Sequence, residues 1–355
     1  ALLAAINPFL VHYSQELRVY SWLLALSLLS AVLLLRALDG RLQWRWYALA
    51  AGVLALFPLH NDDTGFHIAS GRWILATGHV PDRNPFSYAN DGATWVQHQW
   101  LPAVAMAWLA DHLGIVAVVL AKVALVMAAW ALAAWSLMGP SLAGPTHASP
   151  GRVRLPAGWA MLLLSIGLVA SAFRFVERPF LCSIVMLGIT TIGLLRWDAG
   201  RPARVIAVLT PAVALQLHAG GLDAVLVWLA FAVARPRREV WLGLLAMLGL
   251  AIWGLALLAP AGLGVLSLPF GFSGNAYWHE HLAEFRSLGF DAEAVAQWPL
   301  VLGALALAGV AAWRRRWFHA LALAGFAALA LRHVRMTWPL ATVAVPVGGA
   351  LLVEV

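Results

Sequence analysis

The chain is dominated by long runs of uncharged apolar residues, and few folds can accommodate them. Val19 to Leu35, Ile115 to Met138 and Val240 to Leu258 contain a single charge between them, Lys122. At 1.5 Å per helical residue, a run near 20 residues matches the roughly 30 Å hydrocarbon core of a bilayer. Ala and Leu fill these runs without the apolar–polar alternation of a barrel strand, so they read as helices. Only 11% of the 355 residues are charged, against about 25% in a soluble domain, too few to clothe a water-facing surface. The expected fold is all-α, a polytopic transmembrane bundle forming one domain over residues 1–355. The expected segments are 19–35, 45–59, 115–138, 157–172, 180–195, 205–218, 222–234, 241–259, 298–313, 318–331 and 337–352. That makes about 11 spans; several are short, and a re-entrant pair within 205–234 is an alternative.

The net charge of +7 is a statement about topology. Arg36, Arg41, Arg45, Arg152, Arg154, Arg196, Arg201, Arg204, Arg235, Arg237, Arg238 and Arg314 to Arg316 fall in one alternate set of short connections. Arg18, Arg72, Arg83, Arg174, Arg178, Arg286, Arg332 and Arg335 fall in the other. The first set is the denser and is assigned to the cytoplasm by the positive-inside rule. Nucleic acid is therefore not an expected partner. Cys182 is the sole cysteine, which excludes an intrachain disulfide. Arg greatly outnumbers Lys, in keeping with a GC-rich bacterial source. The chain opens on Ala1 rather than Met, so its natural start is expected upstream.

Two outward connections are long, 60–114 and 260–297. In the first, Thr64 to Ala76 reads as a short helix with Asp62 or Asp63 at its N-terminus, where the helix dipole favours a carboxylate. Asp63 and His67 then form an i,i+4 pair on one face. Leu101 to Leu113 reads as a second, interfacial helix. The 139–156 connection is rich in Gly, Pro and Ser and reads as a plain cytoplasmic loop. No GxxxxGK[ST] or GxGxxG is present, which argues against nucleotide-driven transport, and no internal repeat supports an inverted-repeat transporter.

Chemistry-bearing residues crowd the outward face. Nine of the 12 histidines fall there: His12, His60, His67, His79, His98, His218, His279, His281 and His333. They are joined by Asp62, Asp63, Asp82, Glu177, Glu280, Glu284 and the arginines at 174, 178, 332 and 335. A carboxylate there can act as general base. Asp63 with His67 has the spacing for a divalent cation. The Arg174/Arg178 and Arg332/Arg335 pairs offer forks for a phosphate or pyrophosphate. Each has a plainer alternative. Asp62 could simply cap a helix, the arginines could snorkel or pair with Glu177, and His79, His98 and His279 could be ordinary interfacial residues. His218 could be the tip of a tight hairpin. Lys122, inside a span, is a functional candidate or a snorkelling side chain.

The run HNDDTGFHIASGRWILATGHVPDRNPFSYANDGATWVQHQWL at 60–101 resembles the first external loop of bacterial membrane proteins related to GT-C glycosyltransferases. ERPFL (177–181), LHAGG (217–221) and RHVRMTWPLATVAVP (332–346) are similar to later elements of the same group. Residues 7–38, with Ser14-Gln15-Glu16 and Arg18, resemble the helix start of the protein mannosyltransferase and aminoarabinose transferase branch. There this element follows the acidic loop, whereas here it precedes it.

The resemblance implies transfer of a sugar from a polyprenyl-phosphate donor at the periplasmic face of the bacterial inner membrane. Asp62 or Asp63 would be the base, with His67 orienting it or assisting a divalent metal. Glu16, Arg174, Arg178, His218, Arg332 and Arg335 would bind substrate. No soluble periplasmic domain like that of many relatives is expected, so acceptor recognition would fall to the membrane cavity or to protein partner subunits. The competing expectation is a non-catalytic GT-C-like subunit serving as scaffold in a larger membrane complex.

Overall fold

The computed structural model describes residues 32–33, 43–56, 63–86, 92–138, 155–258, 260–268, 271, 276–291 and 294–353. The expectations for Glu16, His60, Asp62 and the 19–35 segment lie outside these residues.

The described chain is helical, and its one β feature is an isolated bridge between Arg83 and Thr94. The helices are α1 (Gln43–Leu54), α2 (Asp63–Thr77), α3 (Trp100–Leu113), α4 (Ile115–Met138), α5 (Ala157–Ser171), α6 (Phe180–Leu195) and α7 (Arg201–Leu217). They continue with α8 (Leu222–Ala234), α9 (Arg238–Leu258), α10 (Ala276–His281), α11 (Trp298–Trp313), α12 (Trp317–Arg332) and α13 (Thr337–Val353). Five stretches are long and apolar enough to cross a membrane: Ile115–Met138, Ala157–Arg174, Arg238–Leu258, Val295–Trp313 and Val334–Val353. Phe180–Leu195, Ala219–Ala234 and Trp317–Arg332 are apolar but shorter. This architecture fits a multi-pass membrane protein. The first segment inside the described chain is shorter than its apolar run suggests, since α1 ends at Leu54 rather than residue 59.

The bundle is organised around α13, which packs on α4, α5, α6, α11 and α12. Its span is 72% buried, against 22% for that of α4. Trp338, Leu340, Val343 and Val347 of α13 are all sealed inside. The outer helices instead turn apolar side chains outward, as Leu242, Leu245, Trp253 and Leu257 of α9 do. Such an apolar exterior is suited to hydrocarbon rather than water.

The helix pair α2–α3 lies before α4 in the chain and builds the cover of one end. Thr64, His67, Ile68, Gly71 and Ile74 form the buried stripe of α2, at the 3–4 residue spacing of one helical face. It meets Pro102, Ala103 and Ala107 of α3. Gly71 permits this approach, since a Cβ there would stand 2.0 Å from the carbonyl oxygen of Ala103. Arg72 clasps Asp111 across the outer side of the pair.

Between these helices the chain folds back on itself. Asn84 N–H donates to Ala93 O and Trp95 N–H to Asp82 O. The Asn84 side chain accepts from the Phe86 N–H at 2.9 Å, an Asx turn. Phe66, Phe86 and Trp95 meet edge to face, with centroids 5.4 to 6.5 Å apart. Much of the 60–101 pattern is thus explained by packing.

Candidate functional site

The connections at the α2 end of the bundle converge. Leu288 N–H donates to Leu331 O and Val334 N–H to Arg286 O, tying the 282–291 stretch to the α12–α13 turn. His333 Nδ1 lies 3.1 Å from the Phe285 carbonyl. At the opposite ends of α6 and α8, Asp198 pairs with Arg235 and Arg237, members of the other arginine set. Arg235 and Arg237 of one set and Arg178, Arg286 and Arg335 of the other therefore lie at two distinct ends of the described fold.

Arg178 is the anchor of the convergent end. It stands just before Pro179, which precedes the first residue of α6 and leaves the guanidinium outside the helix. Nη2 lies 2.7 Å from Oδ2 of Asp63, the first residue of α2. Nη1 lies 2.9 Å from Oε2 of Glu284. Arg174 donates to the same Glu284 oxygen and stacks over Phe180. Burial disfavours ionisation of Glu284, but the charges of Arg174 and Arg178 outweigh it and hold the carboxyl below its usual range.

Arg335 lies over the Phe285 ring, its guanidinium carbon 4.3 Å from the centroid. It is half-buried and makes no ion pair or hydrogen bond among the described residues. Its charge nonetheless acts on Glu284, Asp223, His98, His218 and Arg174. Arg335 is thus within electrostatic reach of nearly the whole cluster. Arg332, expected to share a fork with it, is instead exposed at the end of α12. The helix gives way there to the 3₁₀ turn Val334–Met336, which separates the two side chains.

His67 and His333 are buried and His98 and His218 half-buried, whereas His79 is exposed, as an ordinary interfacial residue would be. His67 is 3% exposed, and Nε2 of Gln99 stands 3.2 Å from its Nδ1. An amide nitrogen only donates, so Nδ1 serves as acceptor and Nε2 carries the proton. Burial pulls the His67 imidazole down to about 4, with Asp63 opposing and Arg178 and His98 adding to the effect. His98 is also lowered, by burial first. Its ring lies 5.4 Å from that of His218. His218 does turn a hairpin, as its Nδ1 accepts from Gly220 N–H at 2.8 Å. Gly221 completes the turn because a Cβ there would meet Ala214 and Leu215 backbone at 2.6 Å.

Lys122 does not snorkel. Its ammonium is 2.6 Å from Glu177, and both side chains are essentially sealed from solvent. Glu177 thus pairs with Lys122. This pair borders a cavity of about 100 Å³ between α3, α4 and α6. The walls are otherwise apolar, including Met106, Leu109, Val118, Leu125 and Leu181, and Arg178 stands among the lining residues.

As to a cation, Asp63 is engaged by Arg178 and His67 by Gln99. Among the described residues no three His, Cys, Asp or Glu side chains converge to form a shell. The sequence reading passed over Asp223, which lies within reach of Arg335, because it reads as one more acidic residue in a helix's first turn. No family model, curated protein or solved structure matches the chain.

Proposed function

We propose that this protein is a GT-C-like glycosyltransferase with about 11 spans in the bacterial inner membrane. It moves a sugar from a polyprenyl-phosphate donor to an acceptor at the periplasmic face. The observation that carries this reading is the position of Arg178. It joins a cluster of arginines and carboxylates to an apolar cavity between the membrane-length helix α4 and the shorter helices α3 and α6. A phosphate head and a hydrocarbon tail need those two environments side by side.

In this reading the donor phosphate binds Arg174, Arg178 and Arg335, and its first prenyl units enter the cavity beside Met106 and Leu181. Arginine forks suit phosphate oxygens, and a phosphate competes with Asp63 for Arg178. The displaced Asp63 carboxylate then takes the proton of the acceptor hydroxyl or amine. The acceptor atom attacks the anomeric carbon, the carbon–oxygen bond to phosphate breaks, and the polyprenyl phosphate leaves with the electron pair. The product has inverted configuration. Neutral His67, four residues from Asp63, orients that carboxylate without adding charge.

The test is the double substitution Asp62→Asn/Asp63→Asn in membranes supplied with a polyprenyl-phosphoryl sugar. Sugar transfer is expected to vanish while membrane insertion is unchanged. Full transfer by the double variant would contradict the reading.

A further inference from the structure

The buried Lys122–Glu177 pair takes no part in the transfer step, yet it is attached to the residue on which that step depends. Residues 175–179 lie between the 3₁₀ turn Ala172–Arg174 and the start of α6, and they have no regular secondary structure. Their backbone bonds are short-range. Val176 N–H donates to Arg174 O and Arg178 N–H to Val176 O, each at 2.8 Å. No helical ladder therefore sets where Arg178 stands. Side chains tie the stretch to the bundle instead: Phe175 packs on Trp338 of α13, with centroids 4.9 Å apart, and Glu177 reaches Lys122 of α4 at 2.6 Å.

Sealing two charges in an apolar wall is costly, and a matched apolar pair often closes such a contact with equal or greater stability. What an ion pair adds is direction, one distance and one orientation between α4 and the turn. From the more exposed side Arg178 is held by Asp63 and Glu284. A bound phosphate competes with those carboxylates, so the hold on that side loosens as the donor arrives. Glu177, one residue away, holds the turn from the sealed side, where the phosphate does not compete. Lys122, Glu177 and Arg178 border the same cavity.

We propose that Lys122 and Glu177 are a positioning pair, fixing the turn before α6 so that the Arg178 guanidinium meets the donor phosphate beside the cavity. This rests on the glycosyltransferase reading and goes beyond it by giving the buried pair a role exerted through Arg178.

The experiment is equilibrium binding of farnesol and farnesyl phosphate to the full chain in nanodiscs. Lys122→Met/Glu177→Leu removes both charges together. It should weaken farnesyl phosphate binding about tenfold or more while changing farnesol affinity about twofold at most. Added to that double variant, Arg178→Gln should cost a further threefold or so at most, against about 10- to 100-fold in the wild type, because coupled residues are not additive. Unchanged farnesol affinity certifies the cavity; should the double variant fail to fold, Lys122→Met/Glu177→Gln, closer in shape to the wild type, carries the comparison. Wild-type farnesyl phosphate affinity in the double variant, a loss shared by farnesol, or full additivity with Arg178→Gln overturns the positioning role alone. Farnesyl phosphate binding to the wild type no tighter than farnesol overturns the glycosyltransferase reading as well.

Discussion

The guanidinium of Arg178 holds the carboxylate of Asp63 at 2.7 Å, joining the first residue of the external helix α2 to the start of α6. The contact makes Asp63 a competitor of any anion for Arg178. Arg178→Gln should therefore weaken farnesyl phosphate binding by about 10- to 100-fold, the worth of one or two charge-assisted hydrogen bonds. Asp63→Asn should leave that binding equal or tighter while abolishing transfer. Titration of both variants with farnesyl phosphate checks the pair. Weaker binding in Asp63→Asn would remove the competition from the account.

The buried Lys122–Glu177 pair should behave as a unit. Lys122→Met strands the Glu177 carboxylate in an apolar wall and should cost about 3–5 kcal/mol. The double variant Lys122→Met/Glu177→Leu should recover most of that loss. Thermal unfolding in detergent of the single and double variants measures it. Two additive losses would show that the charges act independently.

Gly71 should tolerate no side chain. The Ala103 carbonyl is backbone and cannot swing aside, so Gly71→Ala forces α2 and α3 apart. A loss of about 1–3 kcal/mol is expected, as for other overpacked contacts. Gly65→Ala on the same helix, where a Cβ meets nothing within 4 Å, should be neutral or slightly stabilising.

Stability should depend on pH through His67. An unfolded imidazole takes up its proton near 6.5, whereas the folded one does so at about 4. Between those values the unfolded state binds more protons, so stability is full above about 6.5 and falls as pH drops toward 4. The span is worth on the order of 3 kcal/mol. His67→Gln should flatten this part of the profile. A wild-type curve with the same slope as the variant's would exclude His67 as its source.

What the sequence made legible follows physical range. The helices, the α2–α3 elements and the described members of the two arginine sets rest on short periodicities and local charge, and they are visible among the described residues. The i,i+4 relation of Asp63 and His67 holds for the same reason. The partners of those residues were less accessible. Glu284 meets Arg174 and Arg178 across more than 100 residues, and nothing local distinguishes Lys122 as the partner of Glu177. Arg332 and Arg335 looked like one fork because both fall in the short connection between the expected segments 318–331 and 337–352. The 3₁₀ turn between them sends Arg332 outward and Arg335 into the cluster. Asp223 was hidden by its helix-start position, where a carboxylate needs no further explanation.

The most direct measurement is an electron cryomicroscopy map of the full chain with saturating decaprenyl phosphate. The account predicts phosphate density within hydrogen-bond distance of Arg178 and Arg335, with the tail entering the cavity between α3, α4 and α6. A map with the lipid phosphate bound elsewhere and that cavity empty would contradict it.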